Sequence, residues 1–217
     1  AAEHAGRMMD VRKKLSGISP VFCLPDEDTS ASGIWYWGVT HRKRYYESLA
    51  AKTSGKTGDL VALFPTAAKF RTDPRDEGRF AGWFDPEAHD GDWETILTTK
   101  SFLRQGYMDE VGYPHMGYIW YRLEVDVPEK FAGRKIMLYA PIVETEAWSW
   151  VNGKYVGHRE YREAYIRPAE MELDVTDAVA AGKTNVIAIR VGTGLNAAQA
   201  ANGLMSRLFM YAPKDEE

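Results

Sequence analysis

Residues 117–157 read GYIWYRLEVDVPEKFAGRKIMLYAPIVETEAWSWVNGKYVG and hold the clearest strand pattern in the chain. From Ile119 to Val127 apolar residues alternate with aromatic or charged ones, the period of two expected of a strand with one buried face. The run KIMLYA at 135–140 predicts a second strand. A third strand meets Asn152-Gly153, and this pair accepts the positive φ angles of a tight hairpin. The centre of the chain is therefore predicted to be antiparallel β.

A second patterned stretch, ELDVTDAVAAGKTNVIAIRV at 172–191, predicts a short helix followed by another strand. Asp174, Thr176 and Asp177 cap the start of this helix, which runs through Ala181 and ends at Gly182. Together with the GY.WYR and VNG..VG motifs, it resembles the sugar-binding jelly-roll domain at the amino end of family 2 glycoside hydrolases. It is also similar to galactose-binding-domain-like carbohydrate-binding modules. The resemblance covers about Phe64 to Tyr211. It implies an all-β fold, an antiparallel β-sandwich of the jelly-roll type, with short helices in an N-terminal extension.

The domain boundary is predicted near residue 60. Residues 1–59 do not match the family pattern, and they form either an extension packed on the sandwich or the remnant of a preceding domain. Residues 60–217 form the jelly-roll, carbohydrate-binding-like domain. Within the extension, the patterns predict helices at Met8–Leu15 and Tyr45–Lys52 and strands at Val21–Leu24 and Ile34–Val39.

Composition excludes several classes of partner. The 217 residues carry a formal net charge of −4, which leaves no basic surplus to neutralise nucleic-acid phosphates. No apolar run approaches the ~18 residues of a membrane span. Cys23 is the only cysteine, so no intrachain disulfide forms. Seven Trp and twelve Tyr suit both a sandwich core and stacking on sugar rings. No signal peptide is recognisable, and the resemblance implies an extracellular or periplasmic protein.

Candidate sugar contacts lie in four predicted loops, at 78–93, 100–117, 158–168 and 192–203, because ligand contacts concentrate on loops held by a rigid scaffold. The resemblance implies that the loop at 100–117 reaches towards the catalytic pocket of a neighbouring domain. Arginines in the loop predicted at 158–168 suit an acidic sugar such as a uronate, since guanidinium groups pair with carboxylates. Purely structural roles remain open for all of them. The candidate ligand contacts are Trp83, Tyr107, Tyr113, His115, Arg159, Arg162, Tyr165, Asn196 and Asn202.

Other tryptophans are ambiguous between core and platform. Trp93 is predicted to be a core residue. Trp148 and Trp150 share one face of their strand, and burial of that face by the opposite sheet is the favoured interpretation. Trp35 and Trp37 also share a strand face, which forms a stacking platform if it is open and core if it is covered.

No catalytic constellation can be recognised from the sequence. Hydrolysis of a glycosidic bond needs two carboxyl groups roughly 5 to 9 Å apart, and the abundant acidic residues show no such pairing. The resemblance places the chemistry of family 2 in a separate barrel, which this chain is too short to contain. The histidines are scattered, so no metal ligand set and no cofactor is predicted, although structural calcium is common in similar modules. The candidate carboxylates are Asp90, Asp92, Asp109, Glu110, Glu144 and Glu146.

Three functions remain open. The favoured one is a non-catalytic carbohydrate-binding module, accessory to a polysaccharide-degrading enzyme, whose partners are an oligo- or polysaccharide and a catalytic glycosidase or lyase domain. The second is a structural accessory domain of a larger hydrolase or lyase that binds no sugar by itself. The third is a small glycan-active enzyme that uses loop carboxylates.

Overall fold

The structure is a computed structural model that describes residues 2–19, 43, 45–107, 117–162, 170–193 and 203–214. The chain folds as two compact units, Ala1–Gly58 and Asp59–Glu217. In the first unit, helix α1 spans Ala2–Ile18, which is longer at both ends than the sequence predicts. Residues 45–53 are also helical. The strands predicted at Val21–Leu24 and Ile34–Val39, with Trp35 and Trp37, lie outside the described residues.

The second unit is all-β, as the sequence predicts. Its described residues form a four-stranded sheet in the order β1-β12-β5-β9, a six-stranded sheet in the order β3-β2-β4-β10-β7-β8, and a two-stranded pair β11-β6. The strands are β1 Gly58–Leu63, β2 Ala67–Asp73, β3 Glu94–Leu97, β4 Tyr118–Val127, β5 Met137–Ala140, β6 Val143–Glu144, β7 Glu146–Val151, β8 Lys154–Arg159, β9 Met171–Asp174, β10 Lys183–Gly192, β11 Gly203–Leu204 and β12 Phe209–Pro213.

The main core lies between the two larger sheets. Alternate residues of β4 and β10 point into it, and the same alternation on β5 and β12 supplies the facing layer. Full burial of an aliphatic side chain contributes about 1.5–3 kcal/mol each, so this layer dominates the stability of the sandwich. Its fully buried members include Phe64, Phe70, Ile119, Tyr121, Leu138, Met171, Ile187, Ile189 and Leu204.

The hairpin at Asn152-Gly153 is confirmed. Asn152 has φ 51° and Gly153 has φ 80°, the positive values that this turn requires. The Asn152 side chain also donates to the Ala178 carbonyl and to the Asn185 carboxamide oxygen, at 2.9 and 2.7 Å, and accepts from the Val186 amide. The turn is therefore bonded to the start of β10 as well as to its own strands.

A second apolar cluster lies on the outer face of the six-stranded sheet, under residues 74–93, which we call the cover segment. Trp93, Trp120, Trp150 and Ala188 form its buried centre, with Trp83, Phe84 and Trp148 packed against it. Gly78 is essential to this packing, because a Cβ there would clash with the ring of Trp83 and lie 2.7 Å from Nε1 of Trp120. The core position predicted for Trp93 is thus confirmed, at 5% exposure.

Three details of the sequence prediction are wrong. Residues 175–182 form turns and not the short helix predicted to run through Ala181. His158 and Arg159 belong to strand β8 rather than to a loop, because they pair with Trp148 and Ala147 of β7. Trp150 is buried, but against the cover segment and not against the opposite sheet. Ala147 and Val151 occupy that inner face, so Trp148 and Trp150, alternating with them, face outward.

Candidate functional site

Three rows of side chains cross the outer face of the six-stranded sheet. The register of the paired strands determines which residues share a row. The middle row runs from Arg71 through Trp120 and Arg190 to Trp148 and His158. Along the next row are Lys69, Arg122, Ala188, Trp150 and Tyr155. At the edge are Asp73, Tyr118, Gly192 and Glu146. Large aromatic and cationic side chains therefore alternate on a face that a solvated sheet would leave to small polar residues.

The cover segment is fixed to this face by two buried charges. Arg122 is 5% exposed; its Nε donates to Asp90 at 2.9 Å, and its terminal nitrogens donate to the carbonyl oxygens of Trp83, Asp85 and Pro86 at 2.7–3.2 Å. These bonds hold the segment in one position and exclude solvent from the tryptophans beneath it.

Asp73, at the end of β2, is the second buried charge that fixes the cover segment to the sheet. Its carboxylate accepts bonds from the amides of Glu77 and Gly78 at 2.8 and 3.0 Å and from Nε1 of Trp120 at 2.9 Å. A carboxylate with three N–H donors is fully satisfied although only 2% of the residue is exposed.

The rim of this face carries a ladder of stacked side chains, which we call the rim cluster: Tyr118, Glu146, Trp148, His158 and Arg190. The Arg190 guanidinium carbon lies 3.5 Å from the ring centroid of Tyr118 and 4.3 Å from that of Trp148. On the far side of Trp148, the His158 ring stacks at 4.8 Å with an interplanar angle of 19°. Cation–π contacts of this kind contribute about 0.5–2 kcal/mol each.

Carboxylates complete the rim cluster at both ends of the ladder. Glu146 Oε1 lies 2.8 Å from Nε2 of His158, and both side chains keep more than a quarter of their surface exposed. Asp76 Oδ1 accepts a 2.6 Å bond from Arg190, whose side chain is 3% exposed. The rim cluster therefore presents the His158 imidazole and the Glu146 carboxylate to solvent, and Asp76 places a second carboxylate beside it. Such groups can donate to and accept from sugar hydroxyls.

This rim lies at the end of the sandwich to which three of the four predicted loops attach. Gly117 and Thr193 are joined by two hydrogen bonds of 3.0 Å through the Thr193 hydroxyl. The Arg162 amide donates to the Thr145 carbonyl, and Gly203 pairs with Glu144. Tyr113, His115, Tyr165, Asn196 and Asn202 lie outside the described residues, in segments that border these positions in the sequence.

The four other candidate contacts are described. Arg159 is 6% exposed and donates to the carbonyl oxygens of Thr145 and Glu170, so it ties β8 to neighbouring segments. Arg162 is exposed near the loop end. Trp83 packs edge-on against Trp93 and Trp120 at 5.3 and 6.0 Å and contributes to the packing of the cover segment.

Tyr107 faces the main core rather than the rim. Its ring lies 4.5 Å from that of Phe70, and its hydroxyl donates to Glu94 at 2.7 Å. Burial and the bond to Glu94 raise the pKa of Tyr107 to about 12. The position of its side chain is set by the sandwich.

Tyr118, Trp148 and Arg190 were not predicted from the sequence as members of a polar site, and Glu146 was considered only as a carboxylate. The sequence feature that could have indicated this site is the set of outward-facing residues on β4 and β10. Trp120 and Arg122 on β4, and Arg190 on β10, are unusual on a sheet face exposed to solvent. Acidic groups in the same region are paired: Asp90 with Arg122, Asp92 with Arg71 at 3.2 Å, and Glu146 with His158. Asp109 and Glu110 lie outside the described residues.

No family model matches the chain. A β-glucuronidase from Paenibacillus borealis is 26% identical over 128 residues, which is 59% of this chain and 20% of that protein. The structure of a β-glucuronidase from Ruminococcus gnavus in complex with D-glucuronic acid covers 74% of this chain with a TM-score of 0.58 at 17% identity, and 30% of that chain is matched. The uncomplexed form, at 1.7 Å resolution, gives the same values.

The chain shares its fold with part of the Ruminococcus gnavus β-glucuronidase. It spans less than a third of the length of either protein. The likeness therefore concerns a part of each protein and not the whole enzyme.

Within the described ranges, no three His, Cys, Asp or Glu side chains come together as a metal site. Nor does any helix in those ranges have the length and hydrophobicity to cross a membrane.

Proposed function

We propose that this chain is a non-catalytic carbohydrate-binding domain that accompanies the catalytic domain of a β-glucuronidase-like glycoside hydrolase. One observation carries the proposal: the chain matches β-glucuronidases in sequence over 59% of its length and in fold over 74%. The jelly-roll, galactose-binding-like assignment and an extracellular or periplasmic location belong to the same proposal, and both follow from the resemblance.

The rim cluster is the surface proposed to meet the sugar. Its stacked rings are held by Arg190 and cannot collapse, so His158 and Glu146 keep a fixed geometry towards solvent. Preorganised donors and acceptors lower the entropic cost of binding a flexible, hydrated ligand. The glycan is proposed to contact the rim through hydrogen bonds from its hydroxyl groups, because both faces of Trp148 are already covered.

Affinity electrophoresis of the purified chain in gels that contain neutral or acidic polysaccharides tests this proposal. We expect retarded migration in at least one gel, and we expect His158→Ala and Glu146→Gln to reduce the retardation at least tenfold. Phe80→Ala is the control for loss of an exposed aromatic ring, since Phe80 is 83% exposed on the cover segment and is not a member of the rim cluster. Arg162→Ala tests the adjoining loop end. A folded chain that migrates freely in every gel contradicts the proposal.

A structural accessory domain is the second candidate, and one observation favours it. The tryptophans of the sheet pack against one another and under the cover segment, so they do not form an open platform. Free migration in every gel, combined with co-purification of this chain with a separately expressed catalytic domain, is the result expected for that function.

A further inference from the structure

The hairpin between β7 and β8 borders an open cleft of about 500 Å³. Edge strands β8 and β9 form its walls, and the turn after β9 forms its floor. Small-molecule sites occupy roughly 300–1,000 Å³, so the cleft is large enough for a sugar unit. Its lining residues are Lys135, Lys154, Tyr155, Val156, Asp174, Val175, Thr176, Asp177 and Ala178.

Tyr155 gives this cleft an exposed aromatic surface. It is 51% exposed, while its ring rests 5.6 Å from the ring of Trp150 at an angle of 59°. Trp150 is itself fixed by stacking on Phe84 and Trp120, each at 5.3 Å. The exposed phenol ring is thus supported from behind by a buried cluster, an arrangement that suits stacking on the apolar face of a pyranose.

Two lysines flank this ring, and they differ in how their charge is balanced. The Lys135 ammonium group lies 3.5 Å from Oδ2 of Asp174. That of Lys154 donates to the Asp177 carbonyl at 3.3 Å, and within the described ranges it meets no carboxylate. An ammonium group has three donors, so Lys154 retains two N–H groups and its charge for a ligand.

The floor of the cleft is rigid. Oδ1 of Asp174 accepts bonds from the Thr176 hydroxyl at 2.6 Å and from the Thr176 amide at 3.0 Å. The same hydroxyl oxygen accepts the Ile136 amide at 3.0 Å, which joins the turn to β5. These bonds hold the carboxylate of Asp174, which lines the same cleft as Tyr155, in place.

From this geometry we propose that the cleft is a second glycan subsite, which takes a uronic acid residue. The pyranose stacks on Tyr155, its carboxylate pairs with Lys154, and its hydroxyl groups bond with Asp174 and Lys135. The inference rests on the proposed carbohydrate-binding function and adds to it both a second position and a ligand class. Because Tyr155 and His158 lie in adjacent rows of one sheet face, two neighbouring subsites would let the domain hold two parts of one polysaccharide.

Amide chemical-shift titration of the ¹⁵N-labelled full-length chain tests the subsite. The probes are p-nitrophenyl β-D-glucuronide and p-nitrophenyl β-D-glucoside. They differ only at C6 of the sugar, which is a carboxylate in the first and a hydroxymethyl group in the second. We expect the glucuronide to shift the amides of residues 154–156 and 174–178, with at least fivefold weaker binding of the glucoside. Tyr155→Ala and Lys154→Gln should each weaken the glucuronide at least fivefold, while Phe80→Ala and Lys100→Gln leave it unchanged.

The outcomes separate this inference from the proposed function. Chemical-shift changes confined to the amides of Tyr118, Glu146 and His158 would contradict the proposed subsite but would agree with carbohydrate binding at the rim cluster. Equal binding of the two probes in the cleft also overturns it, since Lys154 would then have no part in recognition. No shift anywhere, together with free migration in all polysaccharide gels, overturns both. Because Tyr155 and Lys154 are exposed, their variants are expected to stay folded, with changes in the unliganded spectrum limited to residues near the substitution.

Discussion

Arg122 shows how a single buried charge organises the outer face of the sheet. The guanidinium group supplies four hydrogen bonds to the cover segment, three of them to carbonyl oxygens that have no strand partner. A charge at 5% exposure is tolerated only when its donors are used in this way. The residue therefore acts as the link between sheet and segment rather than as a surface cation.

Replacement of Arg122 by Met should remove this link while keeping most of the side-chain volume. We expect the free energy of unfolding to fall by about 3–5 kcal/mol, because Asp90 and three carbonyl oxygens lose their donor. Urea denaturation followed by tryptophan fluorescence measures the loss. Arg71→Met is the control: its pair with Asp92 is more than 40% exposed on both sides, so its loss should cost about 1 kcal/mol or less. Equal losses would show that Arg122 has no special role.

Asp174 gives a prediction on pH dependence. Its bond from the Thr176 hydroxyl, together with the Thr176 amide and Lys135, holds the pKa of Asp174 below the ordinary value of 3.8, although burial acts in the opposite direction. A lowered folded-state pKa stabilises the native state above pH 3.8, and this contribution disappears as pH falls through the folded-state pKa.

Replacement of Thr176 by Val should therefore raise the pKa of Asp174 towards its ordinary value. ¹³C NMR titration of the Asp174 carboxyl carbon between pH 2 and 6 measures the change. The pKa of Asp59, lowered mainly by its bond to Arg134, is the internal control and should stay the same. An unchanged Asp174 titration would contradict the assigned role of Thr176.

At the scale of elements, the hairpin between β7 and β8 illustrates what local sequence determines. Asn152-Gly153 fixes the turn because both residues adopt positive φ. The network beyond the turn is not local: Asn185 is fully buried and bonds to the Ala180 amide and carbonyl, to the Lys183 carbonyl and to Asn152. Two asparagines thus connect the hairpin to the turn before β10.

The two contributions of Asn152 can be separated by mutation. Asn152→Gly keeps the backbone conformation but removes the side chain. We expect the free energy of unfolding to fall by about 2 kcal/mol, because three hydrogen bonds are lost and the side chain of Asn185 loses one of its partners. Asn152→Ala loses the same bonds and adds about 1 kcal/mol of strain at positive φ. Guanidinium denaturation of both variants measures the difference. Identical costs would show that the turn itself is unstrained.

Strand β4 was predictable because it carries a period of two, and its inward half was predicted correctly. For β10 the existence of the strand was predicted correctly, without an assignment of its faces. What covers the outward half was not predictable. Trp120, Trp148 and Arg190 signal an unusual face, but the cover segment reaches it through Asp73 and Arg122, contacts that join residues up to 47 positions apart. Only three-dimensional packing shows that the rim cluster exists.

The same reasoning explains the errors at β8. His158 and Arg159 are polar and precede a charged run, so their local sequence is typical of a loop. Their pairing with β7 is decided by the neighbouring strand, whose Trp148 gives the His158 ring a stacking partner. Tertiary context overrode local composition.

For the whole molecule, the distribution of the core decides which part can fold alone. Every member of the main core cluster lies between Val61 and Ala212, inside the unit Asp59–Glu217. The second cluster, with Trp93, Trp120 and Trp150, lies in the same unit. A unit that contains both clusters has the length and apolar content of an independent domain.

A chain that begins at Asp59 should therefore fold without residues 1–58. We expect it to unfold in one cooperative thermal transition and to keep the near-ultraviolet circular dichroism that the stacked tryptophans produce, because the rings at 5.3 Å from one another remain in contact. The full-length chain is the reference, and the Arg122→Met variant of the shortened chain is the matched control, in which the near-ultraviolet signal should weaken. A broad transition, or a near-ultraviolet spectrum already lost at 25 °C, would show that residues 1–58 are needed to complete the sandwich.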